Sequence, residues 1–321
     1  MTTDDTLRTW LRELPKAELH LHLDGSLRPA TALELARSRD HGLAHVPDTV
    51  EEMRTRLVAP ERCADQAELL RAFDLPIALL QDAEALARVA RELVADVAGD
   101  GTVYAEIRWA PSLHTEHGLA LGEGIAAVVE AAGAAARDHG LVIRLIAVAL
   151  RTHEPATAVR VARTSLEFIE AGLTGFDIAG VERAAPDPLA FAEAVEVARS
   201  GGLGITCHAG EWGGAAQVWR ALGLDPWRIA HGAPAVDDAA LRRELIERRV
   251  PLDLCPTSNL QAGIGTADHD APLPRLIRAG VPVTISTDDR TVSDLTLVRE
   301  LGRAVEDLGV RPAEIAQAMR V

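Results

Sequence analysis

The side chains best suited to chemistry in this chain are those that interrupt its apolar runs. His20 and His22 stand two residues apart in AELHLHLDGSLRP (17–29), followed by Asp24 and Gly25. In an extended strand, residues i and i+2 share a face, so both imidazoles project together while Leu19, Leu21 and Leu23 fill the other side. Further along, His208 and Glu211 close GLGITCHAGE (202–211), and His231 lies in WRIAHGAP (227–234). Asp288 and Asp289 close GVPVTISTDD (280–289). His20, His22, His208 and Asp288 make a nitrogen–oxygen set suited to one Zn²⁺ with a position left for water. A bound divalent ion lowers the pKa of water to about 7, so no strong base is needed. Glu211, His231 and Asp289 are then free to handle protons and substrate.

Each of these residues has an ordinary explanation when taken alone. A His-x-His pair in a strand is more often incidental than metal-binding, and His208 by itself reads as a core histidine satisfied by backbone. Glu211 reads as a helix start, His231 as a turn residue, and Asp288 with Asp289 as an N-cap and its solvated neighbour. It is their shared place at the ends of apolar segments that points to a site. Cys207 alternates away from His208 and reads as packing. Cys255 precedes a proline turn in CPTSN and is set aside with it. Lys16 is the only lysine and comes before the first strand. No lysine can therefore bridge two metals from a middle strand, which favours a single ion.

Eight apolar runs are candidates for the strands that position these residues: 17–25, 102–111, 141–150, 173–182, 202–211, 227–234, 249–259 and 280–289. Several are nearly continuous, as in parallel strands covered on both faces. Helical patterns lie between them. Leu86, Val89, Leu93 and Val97 fall at three- and four-residue spacings in 82–101, and 235–249 has an acidic start and a basic end. Eightfold strand–helix alternation predicts a (β/α)₈ TIM barrel, whose carboxyl strand ends surround one mouth. An open doubly wound sheet is the second choice, weakened by the lack of a glycine-rich phosphate loop after the first strand. The whole chain, 1–321, reads as one domain, with 40–81 as a helical insertion capping the mouth.

Composition narrows the function further. Over 321 residues, 48% hydrophobic and 25% charged residues describe an ordinary globular protein. A net charge of −15 without a basic patch argues against nucleic acid or an anionic membrane as partner. No apolar stretch reaches the roughly 18 residues of a membrane span, and the N-terminus does not read as a secretory signal. Three widely spaced cysteines suit a reducing, cytoplasmic setting. The oligomeric state is not legible.

The segments PKAELHLHLDGSLRP, VYAEIRWAP, GFDIAGVE, HAGE, AHG, CPTSNLQ and STDD, in this order, resemble the adenosine deaminase family of metal-dependent amidohydrolase barrels. The resemblance implies zinc-dependent hydrolytic deamination of adenosine or a closely related 6-aminopurine nucleoside. It implies His20, His22, His208 and Asp288 as metal ligands and Glu211 as the acid that protonates N1. His231 would orient and help deprotonate the attacking water, with Asp288 accepting a hydrogen bond from it. Asp289 would meet N7, the Gly180 backbone N3, and Asp24 the sugar, with His22 also beside the substrate. Adenine-specific relatives tend to carry Glu at the Asp24 position and a methylated-nucleotide branch Asn, so Asp favours a nucleoside. The chain departs from the family pattern at Ala230, where glycine is usual, and at Trp212, which is expected to reshape the pocket floor. The stretch from STDD to Val321 is also shorter than usual, with a terminal helix expected to be missing. The alternatives are deamination of free adenine or a modified nucleoside, another mononuclear hydrolase, and a non-catalytic purine-binding protein.

Overall fold

The structure, a computed structural model, describes residues 3–38, 43, 45–183 and 186–320. Eight parallel strands follow one another in chain order around a barrel. They are β1 (Lys16–His22), β2 (Thr102–Trp109), β3 (Val142–Leu150), β4 (Leu173–Ala179), β5 (Gly204–Ala209), β6 (Arg228–His231), β7 (Leu252–Leu254) and β8 (Val283–Ile285). This is the expected (β/α)₈ arrangement, and each apolar run contains one strand. The last two strands are much shorter than their runs. CPTSN leaves the sheet at once, because Pro256 opens the helix Pro256–Gln261. The residues after β8 serve the seam with β1 instead.

That seam is stitched largely by side chains. Ser286 Oγ accepts from the backbone of Leu19 and His20 at 3.2 and 3.1 Å. Glu18 Oε1 accepts from Thr287 N and Oγ1 at 3.0 and 2.6 Å. Backbone pairing resumes only at Asp288, which donates to His20 O at 3.0 Å and accepts from His22 N at 2.7 Å.

Strict alternation along β1 does not hold. Glu18 pairs with Ala105 and Leu21 with Ile107, so three steps on β1 oppose two on β2. This is a β-bulge, a device that re-aims side chains beside active sites. Leu21 and Leu23 join the main core, as expected, while Leu19 faces a cavity low in the barrel with Arg228 and Thr284. The bulge thus separates Leu19 from the face of its two neighbours.

The outer face of the sheet packs against the surrounding helices. Leu86, Val89, Leu93 and Val97 of the helix Ala83–Gly99 are all buried, as their spacing predicts. The second helical pattern starts later than expected, at Ala239, where the Asp238 side chain accepts from the amides of residues 240 and 241. The barrel interior is less usual. Where such barrels are commonly filled by branched aliphatics, Arg108 donates to Asp177 at 3.0 Å and to Leu19 O at 2.8 Å. Arg228 bridges Asp253, at 3.0 Å, and Glu106. Lys16 opens β1 at the far end from the mouth. Its ammonium donates to the carbonyls of Leu11, Arg12 and Leu14, satisfying the end of the helix Thr3–Glu13. Burial lowers its pKa to about 8, against the attraction of Asp100.

Residues 40–81 supply the expected helices, Val50–Leu57, Gln66–Leu70 and Asp74–Leu79; positions 40–42 and 44 lie outside the described residues. Ala59 N donates to Val292 O and Cys63 N to Gln261 O, at 2.9 and 2.8 Å, tying this cap to the mouth. Beneath it, Ala59, Cys63, Leu69, Ala72 and Val292 form a separate apolar cluster against which Phe73 and Trp212 pack. Trp212 therefore sits under the cap and is not among the residues lining the mouth cavity, contrary to its expected place in the pocket floor. Two helices, Leu297–Glu306 and Pro312–Ala318, follow β8. No helix among the described residues is long and apolar enough to cross a membrane.

Candidate active site

The carboxyl ends of β1, β5 and β6 and the loop after β8 bring four side chains to one point. Donor atoms of His20, His22, His208 and Asp288 all lie within 4.8 Å of one another. His22 Nε2 is 3.3 Å from His20 Nε2 and 3.2 Å from His208 Nε2. Asp288 Oδ1 is 2.9 Å from His20 Nε2 and 3.4 Å from His22 Nε2. Burial, aided by Arg108 and opposed by Asp288, holds the proton affinity of His20 well down. Burial likewise lowers His22 to about 3. Neutral imidazoles crowded around a carboxylate turn lone pairs toward a common centre. That donor set fits a divalent transition metal.

The positions of these four donors are themselves held. Asp177 Oδ2 lies 2.7 Å from His208 Nδ1 and accepts from Arg108 on its other side. Burial opposes ionisation of Asp177, yet His208 and Arg108 outweigh it and keep the carboxylate charged. A carboxylate behind a ligating imidazole fixes its orientation and tautomer. Ser258 donates to Asp288 Oδ2 at 2.6 Å. His231 and Asp288 both adopt φ of 65°, a sparsely populated region for non-glycine residues that gathers at functional sites. Cys255, set aside from the sequence, lies closer than expected, with its sulfur within 4.8 Å of donor atoms of His231 and Asp288. Burial raises its thiol well above the usual range, so it remains protonated.

A second set of groups surrounds this point. Glu211 lies just beyond β5, 3.4 Å from His231 Nε2. Burial raises its pKa, with His231 and His208 opposing and Asp288 and Glu182 adding to the effect. His231 is held on its far side by Asn259 at 3.3 Å. Burial, Asp288, Asp24 and Glu211 together push Asp289 well above the ordinary carboxylate range, so its carboxyl keeps a proton to donate. Gly25 is required beside it, since a Cβ there would fall 1.7 Å from Asp289 Oδ1. Burial raises Asp24 to about 6.

His22, His208, Asp24, Gly180, Glu211, His231, Asp288 and Asp289 line one cavity of about 250 Å³; His20 lies behind it, wholly buried. Gly180 has φ of +96°, so its place depends on backbone freedom more than on space. The cap adds an apolar wall through Leu69, Leu70, Phe73 and Ile77, and polar groups through Gln66 and Asp74. Among the described residues lining the cavity there is no lysine or arginine. Sequence reasoning had not singled out Asp177, Arg108, Ser258, Asn259, Gln66 or Asp74. Asp177 could have been found, being a carboxylate inside an otherwise apolar strand run.

An eight-stranded parallel barrel with buried imidazoles and carboxylates converging at its mouth defines a metal-dependent hydrolase barrel. Residues 15–320 match the adenosine deaminase family. The chain is 38% identical to an adenosine deaminase of Enterococcus faecalis over 90% of its length and 85% of the relative. It is 37% identical to one from Mycobacterium sp. (strain JLS), over 99% and 91%. An adenine deaminase from Arthrobacter aurescens superposes with a TM-score of 0.85 at 29% identity, over 95% of this chain and 91% of that one. A zinc-bound amidohydrolase from Burkholderia ambifaria gives 0.87 at 26%, over 99% and 86%. An Arabidopsis N6-mAMP deaminase gives 0.84 at 27%, over 97% and 92%. The chain belongs to the adenosine deaminase family. It is a hydrolytic deaminase that acts on adenosine or a related adenine compound.

Proposed function

We propose that the substrate is a 6-aminopurine nucleoside, adenosine first, and that one Zn²⁺ per chain is held by His20, His22, His208 and Asp288. The observation that carries this reading is the single cavity into which metal donors, an elevated acid and an unopposed set of carboxyls all open. The zinc-bound Burkholderia structure supports the choice of metal. When bound, zinc supplies Lewis-acid activation of water near neutral pH.

The chain's own groups do the rest. Addition of water oxygen at C6 breaks ring resonance, and the displaced electron pair must go to N1. Glu211, whose pKa burial raises, delivers a proton to that nitrogen. His231, held by Asn259, takes a proton from the attacking water, and one returns to the amino group as ammonia leaves. Protonated Asp289 donates to N7, which can only accept. The Gly180 backbone faces N3, and Asp24 and His22 bound the end where the sugar begins. A 5′-phosphate would find no lysine or arginine among the described residues lining the cavity, which disfavours nucleotides. Free, buried cysteines support a reducing, cytoplasmic setting, and we read the chain as one barrel domain with its cap.

A panel of adenine, adenosine, deoxyadenosine and AMP, assayed by ammonia release with zinc-loaded protein, tests the reading. Adenosine should turn over fastest. Preference for AMP or free adenine would overturn the nucleoside assignment. Glu211→Gln should retain zinc and lose roughly 10²- to 10⁴-fold in kcat; near-normal turnover would refute its role as acid.

A further inference from the structure

Glu182 lies three residues beyond β4 in the GFDIAGVE segment and has entered so far only as one of the charges acting on Glu211. It is 3% exposed and does not line the cavity. Its Oε1 accepts from Gly210 N at 2.6 Å, and its Oε2 from Trp212 N at 2.8 Å and Gly213 N at 2.5 Å. These three amides flank Glu211 on both sides. Amides converging on one anion make a binding concavity, and here a carboxylate of the same chain fills it.

The loop is shaped for this contact. Gly210 adopts φ of +88°, and a Cβ there would come within 2.9 Å of Val218. A Cβ at Gly213 would lie 2.2 Å from Gln217 Cγ and 3.1 Å from Glu182 Oε2. Charge-assisted hydrogen bonds are roughly twice as strong as neutral ones, so these three hold the turn firmly, beside the one Arg183 donates to Trp212 O at 2.7 Å. Glu182 also reaches the cap, its backbone N–H donating to Gln66 Oε1 at 3.1 Å.

We propose that Glu182 is a positioning residue: by gathering the amides of Gly210, Trp212 and Gly213 it fixes the backbone from which Glu211 presents its carboxyl to the purine. This rests on the assignment of Glu211 as the acid. A misplacement of about 1 Å in a reacting group costs on the order of 10²-fold in rate, so the loop must be held that closely. A role confined to folding would leave the kinetics of the folded enzyme untouched.

The test uses zinc-loaded full-length protein and whichever compound of the panel turns over fastest. Glu182→Gln turns an amide group toward amide donors and should lower kcat roughly 10²-fold. KM should stay within about twofold, because Glu182 does not touch the cavity. Glu182→Asp keeps the charge with a shorter reach and should recover part of the loss. In a Glu211→Gln background, Glu182→Gln should cost almost nothing further, since it acts through Glu211. Hydrogen exchange should quicken at the amides of 210, 212 and 213 in Glu182→Gln while β5 stays protected. Unchanged kcat, equal losses in both backgrounds, or unaltered exchange would overturn the proposal. Should Glu182→Gln not fold, Glu182→Asp carries the same comparisons at smaller amplitude. Full activity of Glu211→Gln alone would remove the acid assignment and this proposal with it, whereas failure of the Glu182 arms alone would leave that assignment standing.

Discussion

The lower barrel and its mouth are built from the same residue types to opposite effect. Low in the barrel, charged side chains meet partners: Arg228 lies between Asp253 and Glu106, Thr284 donates to Asp253, and Lys16 is ringed by carbonyls. At the mouth, Asp24 Oδ1, Asp289 Oδ1 and His231 Nε2 are buried without a hydrogen-bond partner. Buried polar atoms are normally satisfied, and those that are not call for a functional reason. The three unpaired atoms at the mouth belong to residues lining the cavity, where a ligand can meet them. Asp288 and Asp289 show the contrast within two consecutive residues. Burial resists the charge on both, but His20 and His231 overcome it at Asp288, whereas neighbouring carboxylates reinforce it at Asp289.

Substitutions at the two ends should therefore separate activity from stability. The largest effect is expected for His208→Ala, which removes one of the four donors proposed to hold zinc at the mouth. Turnover should drop below detection and zinc content by elemental analysis should fall, with the far-ultraviolet circular dichroism spectrum unchanged. Full zinc occupancy in that variant would break the comparison. In the lower barrel, Arg228→Ala leaves the half-buried Glu106 without its cation and the buried Asp253 with Arg108 alone, and should cost about 3 kcal/mol in urea unfolding. The folded fraction should keep its kcat; a loss of rate matching the loss of stability would show that the two ends are not independent. The smallest effect is expected for Asp24→Asn, read on chelator-treated protein. The Asp24 pKa is raised to about 6 from 3.8 unfolded, so the native state binds the extra proton and wild-type stability falls as pH rises through that window. Asparagine does not titrate. The variant should gain about 3 kcal/mol over wild type at pH 7 and nothing at pH 3. A gain independent of pH would mean that the Asp24 pKa is not raised in the native state.

Much of this division could be read in the sequence, because the groups that do chemistry interrupt apolar strand runs at their carboxyl ends. His20, His22, His208, His231 and Asp288 stand out for that reason, and the helix beginning at Ala83 follows its own periodicity. What escaped was tertiary. Nothing local announces an inserted residue in β1, since Leu19 is as apolar as Leu21. Arg108 and Asp177 lie in different strands, and their pairing exists only once the barrel closes. Trp212 looked like a pocket residue by its distance from Glu211 along the chain, yet the cap offers it an apolar cluster that one chain segment could not reveal. The shortness of β7 and β8 was hidden because Val250 and Val281, which precede them in the same runs, are buried without joining the sheet.

The bulge in β1 makes the site a witness to correct assembly. Shift that strand by one position against its neighbours, and the side chains of His20 and His22 change places with their sequence neighbours and no longer meet His208 and Asp288. A barrel closed in the wrong frame could not gather its imidazoles around a cation. Retention of metal after refolding thus reports that the first and last strands have met in the proper alignment.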